Sequence, residues 1–231
     1  MKRSKRYLEN FNKLEAEKQY TLDEAFDIIS SSVAVKFDQT VDLSINLGVD
    51  PRHADQLVRG TVSLPNGTGK DVKAVVVTKD DEKSKECIEA GAIEAGSKDL
   101  LDKIEKGWLD FDVLIASPDM MPQLGKLGKV LGPRGLMPNP KVGTVTNEVV
   151  KSLKEVLAGK VEFRVDKNGV INVSVGKASF EKDKLVENIK TIMSAILKAK
   201  PASVKGTYFE KFTLSSTMGP GIKVLKTDFV I

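Results

Sequence analysis

The chain has 231 residues, 41% of them hydrophobic and 29% charged, and its 36 Lys and Arg against 32 Asp and Glu give a formal charge of +4. This is the composition of a soluble globular protein long enough for two compact units, not that of a membrane-spanning or a disordered chain. Cys87 is the only cysteine and His53 the only histidine, which excludes an intrachain disulfide and a Cys/His zinc site.

Lys2, Arg3, Lys5 and Arg6 crowd the N-terminus, and no apolar run suited to a signal or a membrane span follows them. A cytoplasmic protein is the expectation. Residues 7–35 begin polar and then place Leu22, Ala25, Phe26 and Ile29 at helical spacing, opened by a Thr21–Glu24 capping box. The period changes to two at Val41, Leu43, Ile45 and Leu47, which predicts a half-buried strand. A short strand around residues 59–64 runs into Pro65-Asn66-Gly67-Thr68-Gly69, a turn by its chemistry.

From Val72 the pattern differs: an apolar strand over 72–77, a helix through Cys87 to Ala90, and a second apolar strand at 113–116. Continuous apolar strands alternating with helices predict a parallel or mixed sheet covered on both faces. The acid-rich stretch 80–112 reads as a solvated helical surface, a Gly/Pro-rich segment spans 118–143, and a helix follows over about 147–157. Beyond Gly159, residues 161–165 and 171–175 alternate around Asn168-Gly169, the strongest short-range hairpin signal. A helix over about 181–199 carries Leu185, Ile189, Ile192, Met193, Ile196 and Leu197 as its apolar stripe, and strands near 207–214 and 223–230 flank the last loop.

The first and last thirds share one style and the middle has another. The simplest account is α/β and α+β with two domains. One is a discontinuous α+β domain, residues 1–66 and 160–231, with a split antiparallel sheet and helices. The other is an inserted Rossmann-like α/β domain, residues 70–158. Gly67, Gly69 and Gly159 would act as hinges, because glycine tolerates wide backbone change. One continuous domain with two sheets is the alternative.

Gly67-Thr68-Gly69-Lys70 fails as a phosphate loop, since Leu64 and Asp71 occupy the positions that need Gly and Ser/Thr. No serine or cysteine lies in a nucleophile elbow, so hydrolase chemistry of the usual kinds has no support; paired carboxylates need no local motif and stay open to sequence reading, and the expectation is no catalytic residue, metal or cofactor. Cys87 and Trp108 read as packing residues, and Asp80-Asp81-Glu82 as acids at a helix start. The binding candidates lie elsewhere. Ser215-Ser216-Thr217-Met218-Gly219-Pro220-Gly221 is a hydroxyl-rich loop bounded by glycine; its hydroxyls suit ribose 2′-OH groups, Met218 suits a sugar, and the same residues would also make a plain turn. In Lys36-Phe37-Asp38-Gln39-Thr40, Lys36 can neutralise a phosphate, Thr40 can bond a sugar, and Phe37 either stacks on a base or joins the core. Arg164 is open between phosphate contact and surface charge. Lys126, Lys129, Arg134 and Lys141, in a segment unusually long for a plain loop, suit tRNA or rRNA phosphates, with an inert loop as the alternative.

KFDQTVDLSINLGVDPRHADQLVRGTVSLPNGTGK, GWLDFDVLIASPDMMPQLGKLGKVLGPRGLMPNPKVGTVT, AGKVEFRVDKNG and LSSTMGPG resemble the bacterial large ribosomal subunit protein one family, and the resemblance extends over almost the whole chain. The resemblance implies a discontinuous two-domain fold and a free monomer that binds 23S rRNA in the mobile stalk at the E site. It also implies assistance to the release of deacylated tRNA and repression of its own operon mRNA. Carried onto matching positions, the RNA-binding surface falls on Lys36, Phe37, Thr40, Arg164, Ser215, Thr217, Met218 and Gly219. Gln39 stands where the family usually has an acid. A nucleotide-binding α/β enzyme and a general RNA chaperone are the competing classes.

Overall fold

The computed structural model describes residues 3–15, 18–32, 35–204 and 206–229. The chain divides into two compact units, Met1–Gly69 with Val161–Ile231, and Lys70–Lys160. In chain order the first unit opens with α1 (Lys5–Asn12), α2 (Leu22–Ser30), β1 (Thr40–Leu47) and β2 (Arg59–Ser63). The second holds β3 (Ala74–Val77), α3 (Asp81–Glu89), β4 (Glu94–Gly96), α4 (Lys98–Glu105), β5 (Val113–Ala116), α5 (Met121–Leu124), α6 (Gly128–Leu131) and α7 (Val149–Leu157). The chain then returns through β6 (Lys160–Arg164), β7 (Val170–Lys177), α8 (Lys182–Lys198), β8 (Phe209–Ser216) and β9 (Ile222–Val224) to complete the first.

In the first unit β1 lies between β7 and β8, antiparallel to both, and β9 is the edge of the order β7-β1-β8-β9. Val41, Leu43, Ile45 and Leu47 are buried and the intervening residues are not, so the period-two pattern divides the sheet into an apolar face and a polar one. The core gathers Leu22, Ala25, Phe26 and Ile29 of α2, and Leu185, Ile189, Ile192, Met193 and Ile196 of α8, with the buried residues of β1. The Thr21–Glu24 capping box is present at the start of α2, and burial of that short helix's apolar stripe holds it in place. Leu197, expected on the stripe of α8, is 46% exposed; it follows Ile196 by a 100° step, enough to rotate it out of the buried face.

The expected hairpin of 161–165 with 171–175 is not formed as such. Asn168-Gly169 makes its turn, with Gly169 at φ 78° and the Asp166 carboxylate accepting from the Asn168 and Val170 amides. Past the single Val165–Ile171 bridge the strands part, β6 pairing with β2 and β7 with β1. The turn stands but the strand pairing it suggests does not extend: β6 packs instead on β2, where Gly60 leaves the space that the Phe163 ring fills.

The second unit is a parallel sheet in the order β4-β3-β5. All four residues of β3 are buried. Val75 and Val77 pack with Leu100, Leu101 and Ile104 of α4, whereas Ala74 and Val76 pack with Cys87 of α3 and Val149, Leu153 and Val156 of α7. Strand β4 and the buried face of α4 lie inside the stretch 80–112, which by sequence reads only as solvated helix. Burial pushes the Cys87 thiol up from its ordinary pKa, as suits a small packed side chain. Among the described residues no helix is long and apolar enough to cross a membrane.

Candidate nucleic-acid interface

Thr40 begins β1, and Thr217 follows the last residue of β8. The two strands pair antiparallel up to Val41 and Ser216, which brings residues 177 positions apart side by side. The Thr40 amide donates to Thr217 Oγ1 at 2.9 Å, Thr217 Oγ1 donates to the Thr40 carbonyl at 3.2 Å, and the Thr217 amide donates to the same carbonyl at 3.0 Å. The Thr217 hydroxyl thus spends its proton and one lone pair inside the protein, and keeps one lone pair for an outside donor. It is a clamp first and a candidate RNA contact second.

Beyond the clamp the chain turns tightly, with the Gly219 amide donating to the Ser216 carbonyl at 3.0 Å. A β-carbon at Gly219 would overlap the Ser216 hydroxyl oxygen, so glycine there leaves room for the Ser216 side chain. The Met218 amide donates to Gln39 Oε1 at 3.1 Å, which leaves the Met218 side chain outside, 45% exposed. Gln39 itself is buried. At a position where the resemblance leads one to expect an acid, a neutral amide oxygen serves as the acceptor and adds no further negative charge to those of Asp38 and Asp42 nearby.

The segment before β1 is pinned on its other side. Asp38 accepts from the Ser179 hydroxyl at 2.7 Å and from the Ser179 amide at 3.3 Å. Phe37 is 52% exposed, which removes it from the core. Lys36 is exposed beside it. Lys177, opposite Thr40 in the β1–β7 register, donates from Nζ to Thr40 Oγ1 at 3.3 Å. Ser215 is half-buried and paired with Asp42, whose carboxylate accepts from the Ser174 hydroxyl at 2.8 Å.

Lys36, Phe37, Thr40, Ser215, Thr217, Met218 and Gly219 therefore meet at one corner of the sheet. Arg164 does not join them. It is exposed on β6 one residue before the Val165–Ile171 bridge, and Ile171 is paired with Ile45, five residues from Thr40, or about 17 Å along a strand. Gln39 and Lys177 were missed by sequence reasoning. Lys177 could have been found by pairing the two alternating strands in register, whereas a single Gln carries no periodic signal.

In the second unit the segment LGKLGKVLG is folded into short helical turns. Leu124, Leu127 and Leu131 are buried in the α4-side core, and Lys126 and Lys129 are exposed. Arg134 is exposed in the loop that follows; the side chain of Lys141 lies outside the described residues. Gly67, Gly69 and Gly159 have φ of 64°, 67° and 101°, a region that favours glycine. Gly159 terminates α7, its amide donating to the Val156 carbonyl. The Gly67 carbonyl accepts from Asn188 Nδ2 at 3.1 Å, and a β-carbon on Gly69 would crowd Lys177 and the Phe180 ring.

Among the described residues no cluster of three or more His, Cys, Asp or Glu could hold a metal ion. The corner offers hydroxyls, a thioether, an aromatic ring and two lysines beside the hydrogen-bonded carboxylates of Asp38 and Asp42, a set whose hydroxyls and cations suit a polyanion and its sugars.

Comparison with known proteins gives the same direction. The sequence pattern of the ribosomal protein L1p/L10e family matches residues 28–220, which includes the whole corner. The large ribosomal subunit protein uL1 of Protochlamydia amoebophila (strain UWE25) is 58% identical over 221 residues, 96% of this chain and 93% of that protein. On both grounds, the chain belongs to the ribosomal protein L1p/L10e family.

Proposed function

We propose that this protein is a non-catalytic constituent of the large ribosomal subunit that holds 23S rRNA at the Thr40–Thr217 corner. The observation that carries the reading is the hydroxyl clamp: three hydrogen bonds between Thr40 and Thr217 set two loops as one surface, with Phe37 and Met218 left outside it. Loops fixed before binding cost less ordering entropy when RNA docks. Lys36 and Lys177 supply charge for phosphates, and Ser215, with the spare lone pair of Thr217, meets ribose hydroxyls. Arg164, exposed on the separate β2–β6 sheet, would serve a separate backbone contact.

The two units would divide the work. The discontinuous α+β unit anchors on rRNA in the stalk at the E site. The inserted, Rossmann-like unit presents Lys126, Lys129, Arg134 and Lys141 to tRNA and assists departure of deacylated tRNA. Asn188 and Phe180 hold the outgoing crossing as far as Gly69, so motion would begin beyond that glycine and, on the return, beside Gly159. Free monomer in the cytoplasm would use the same corner to repress its own operon mRNA, since a site that reads RNA shape binds any RNA presenting it.

Thermal-shift titration with a 23S rRNA stalk fragment against ATP and NAD tests the reading. Stabilisation by the RNA alone is expected; stabilisation by a nucleotide and not by RNA would assign the protein to the competing enzyme class.

A further inference from the structure

The basic N-terminal segment has no part in the site so far. Ser4 caps α1 through its side chain, accepting from the Tyr7 amide. Asn10 is buried, and with Lys13 it lines one small cavity together with Ser216 and Pro220. The C-terminal end of the helix therefore lies close to Ser216 and Pro220, the residues that flank the Thr217–Gly219 turn. Lys13 Nζ also donates to the Ser31 carbonyl at 2.8 Å, which ties the end of the segment to α2.

The outward side of α1 has an unusual makeup. The Tyr7 and Phe11 rings stack with centroids 6.1 Å apart, and the Arg3 guanidinium sits 4.9 Å from the first and 5.5 Å from the second. Phe11 is 41% and Leu8 44% exposed. Among the described residues of the first unit, the exposed large apolar side chains are Leu8, Phe11, Phe37, Leu57, Leu197 and Met218. Four of the six lie on α1 and the two clamped loops, a concentration that marks a contact surface. Arg3, Lys5, Arg6 and Lys13 set against Glu9 and Glu15 make the segment basic. A cation already laid on aromatic rings, flanked by further cations, suits an unpaired base between phosphates.

We propose that α1 is a second RNA-contacting element, in which Phe11 and the Arg3–Tyr7 stack receive an unpaired base of the rRNA held by the corner, and Lys5 neutralises a flanking phosphate. The inference rests on the rRNA-binding reading above and extends it to residues outside the span matched by the family pattern.

The test uses the full chain and a 23S rRNA stalk fragment, with affinity measured across a salt series. Phe11→Leu, which keeps an apolar side chain but has no ring, is expected to bind about tenfold more weakly, the usual effect of losing one stacked base. Phe11→Tyr should bind as the parent does. Lys5→Gln should lower the salt slope by about 0.9. Parent-like affinity in Phe11→Leu with an unchanged slope in Lys5→Gln would overturn the proposal, and so would equal weakening by Phe11→Leu and Phe11→Tyr. Met218→Ala, run alongside, separates the two readings: weakening there with no effect at α1 leaves the corner standing and removes α1. Should far-UV circular dichroism show that Phe11→Leu loses α1, the exposed Lys5→Gln decides by its slope.

Discussion

Thr40 and Thr217 are joined by three hydrogen bonds of 2.9 to 3.2 Å, two of them through the Thr217 hydroxyl. Valine at 217 has the same shape without those two bonds and leaves the Thr40 amide without its acceptor. Thr217→Val should lower stability by about 1–2 kcal/mol, read from urea unfolding, given about 1 kcal/mol for a typical hydrogen bond. Thr217→Ser, which retains the hydroxyl, should lose well under half as much.

Gln39 separates shape from charge at the same corner. Gln39→Glu keeps an oxygen for the Met218 amide but adds a negative charge near Lys36 and Lys177. Its rRNA affinity should fall several-fold at low salt and approach the parent value as salt is raised and the added repulsion is screened. A loss of the same size at every salt concentration would mean that the acceptor geometry had been disturbed instead.

Gly219 is a matter of space and not of φ, since it is absent from the positive-φ glycines. A methyl group there meets the Ser216 oxygen, so Gly219→Ala must displace either the Ser216 side chain or the turn. Weaker rRNA binding in Gly219→Ala, partly restored in the Gly219→Ala/Ser216→Ala pair, is the expected pattern in filter-binding measurements.

How much of this the sequence could tell varies with how local the cause is. The alternation of β1, the capping box of α2 and most of the α8 stripe depend on neighbours within a turn or two, and each was legible. The fate of β6 was not, because Asn168-Gly169 states the turn correctly while the choice of partner is made by Phe163 filling the space above Gly60, more than a hundred residues away. Strand β4 is three residues, Glu94-Ala95-Gly96, with no apolar run, and exists because β3 offers it a ladder. At the site, Thr40 and Thr217 were each legible as hydroxyls suited to RNA; that one would bind the other's backbone follows only from strand register.

Tyr208 ties the β8 side of the first unit to α8, its hydroxyl donating to the Ile196 carbonyl at 3.2 Å. Burial pushes its pKa up to about 12, against about 10 when unfolded. The folded state thus favours the neutral phenol, so this contribution is complete below pH 10 and is lost as pH rises from 10 towards 12. Tyr208→Phe should cost about 1 kcal/mol at neutral pH and flatten the fall of melting temperature over that alkaline window; an unchanged alkaline profile would assign it to other groups.

On the reading proposed above, the corner binds RNA in part through exposed side chains that the fold leaves outside its packing, Phe37 and Met218. Met218 is the sharpest probe, because its amide is held by Gln39 while its side chain is exposed. The decisive measurement is the Kd of the full chain and of Met218→Ala for a 23S rRNA stalk fragment at one fixed salt concentration, with melting temperatures taken in parallel. About tenfold weaker binding with an unchanged melting temperature is the predicted result, the loss corresponding to roughly 1.4 kcal/mol. Equal affinity in a variant that melts with the parent would contradict the claim.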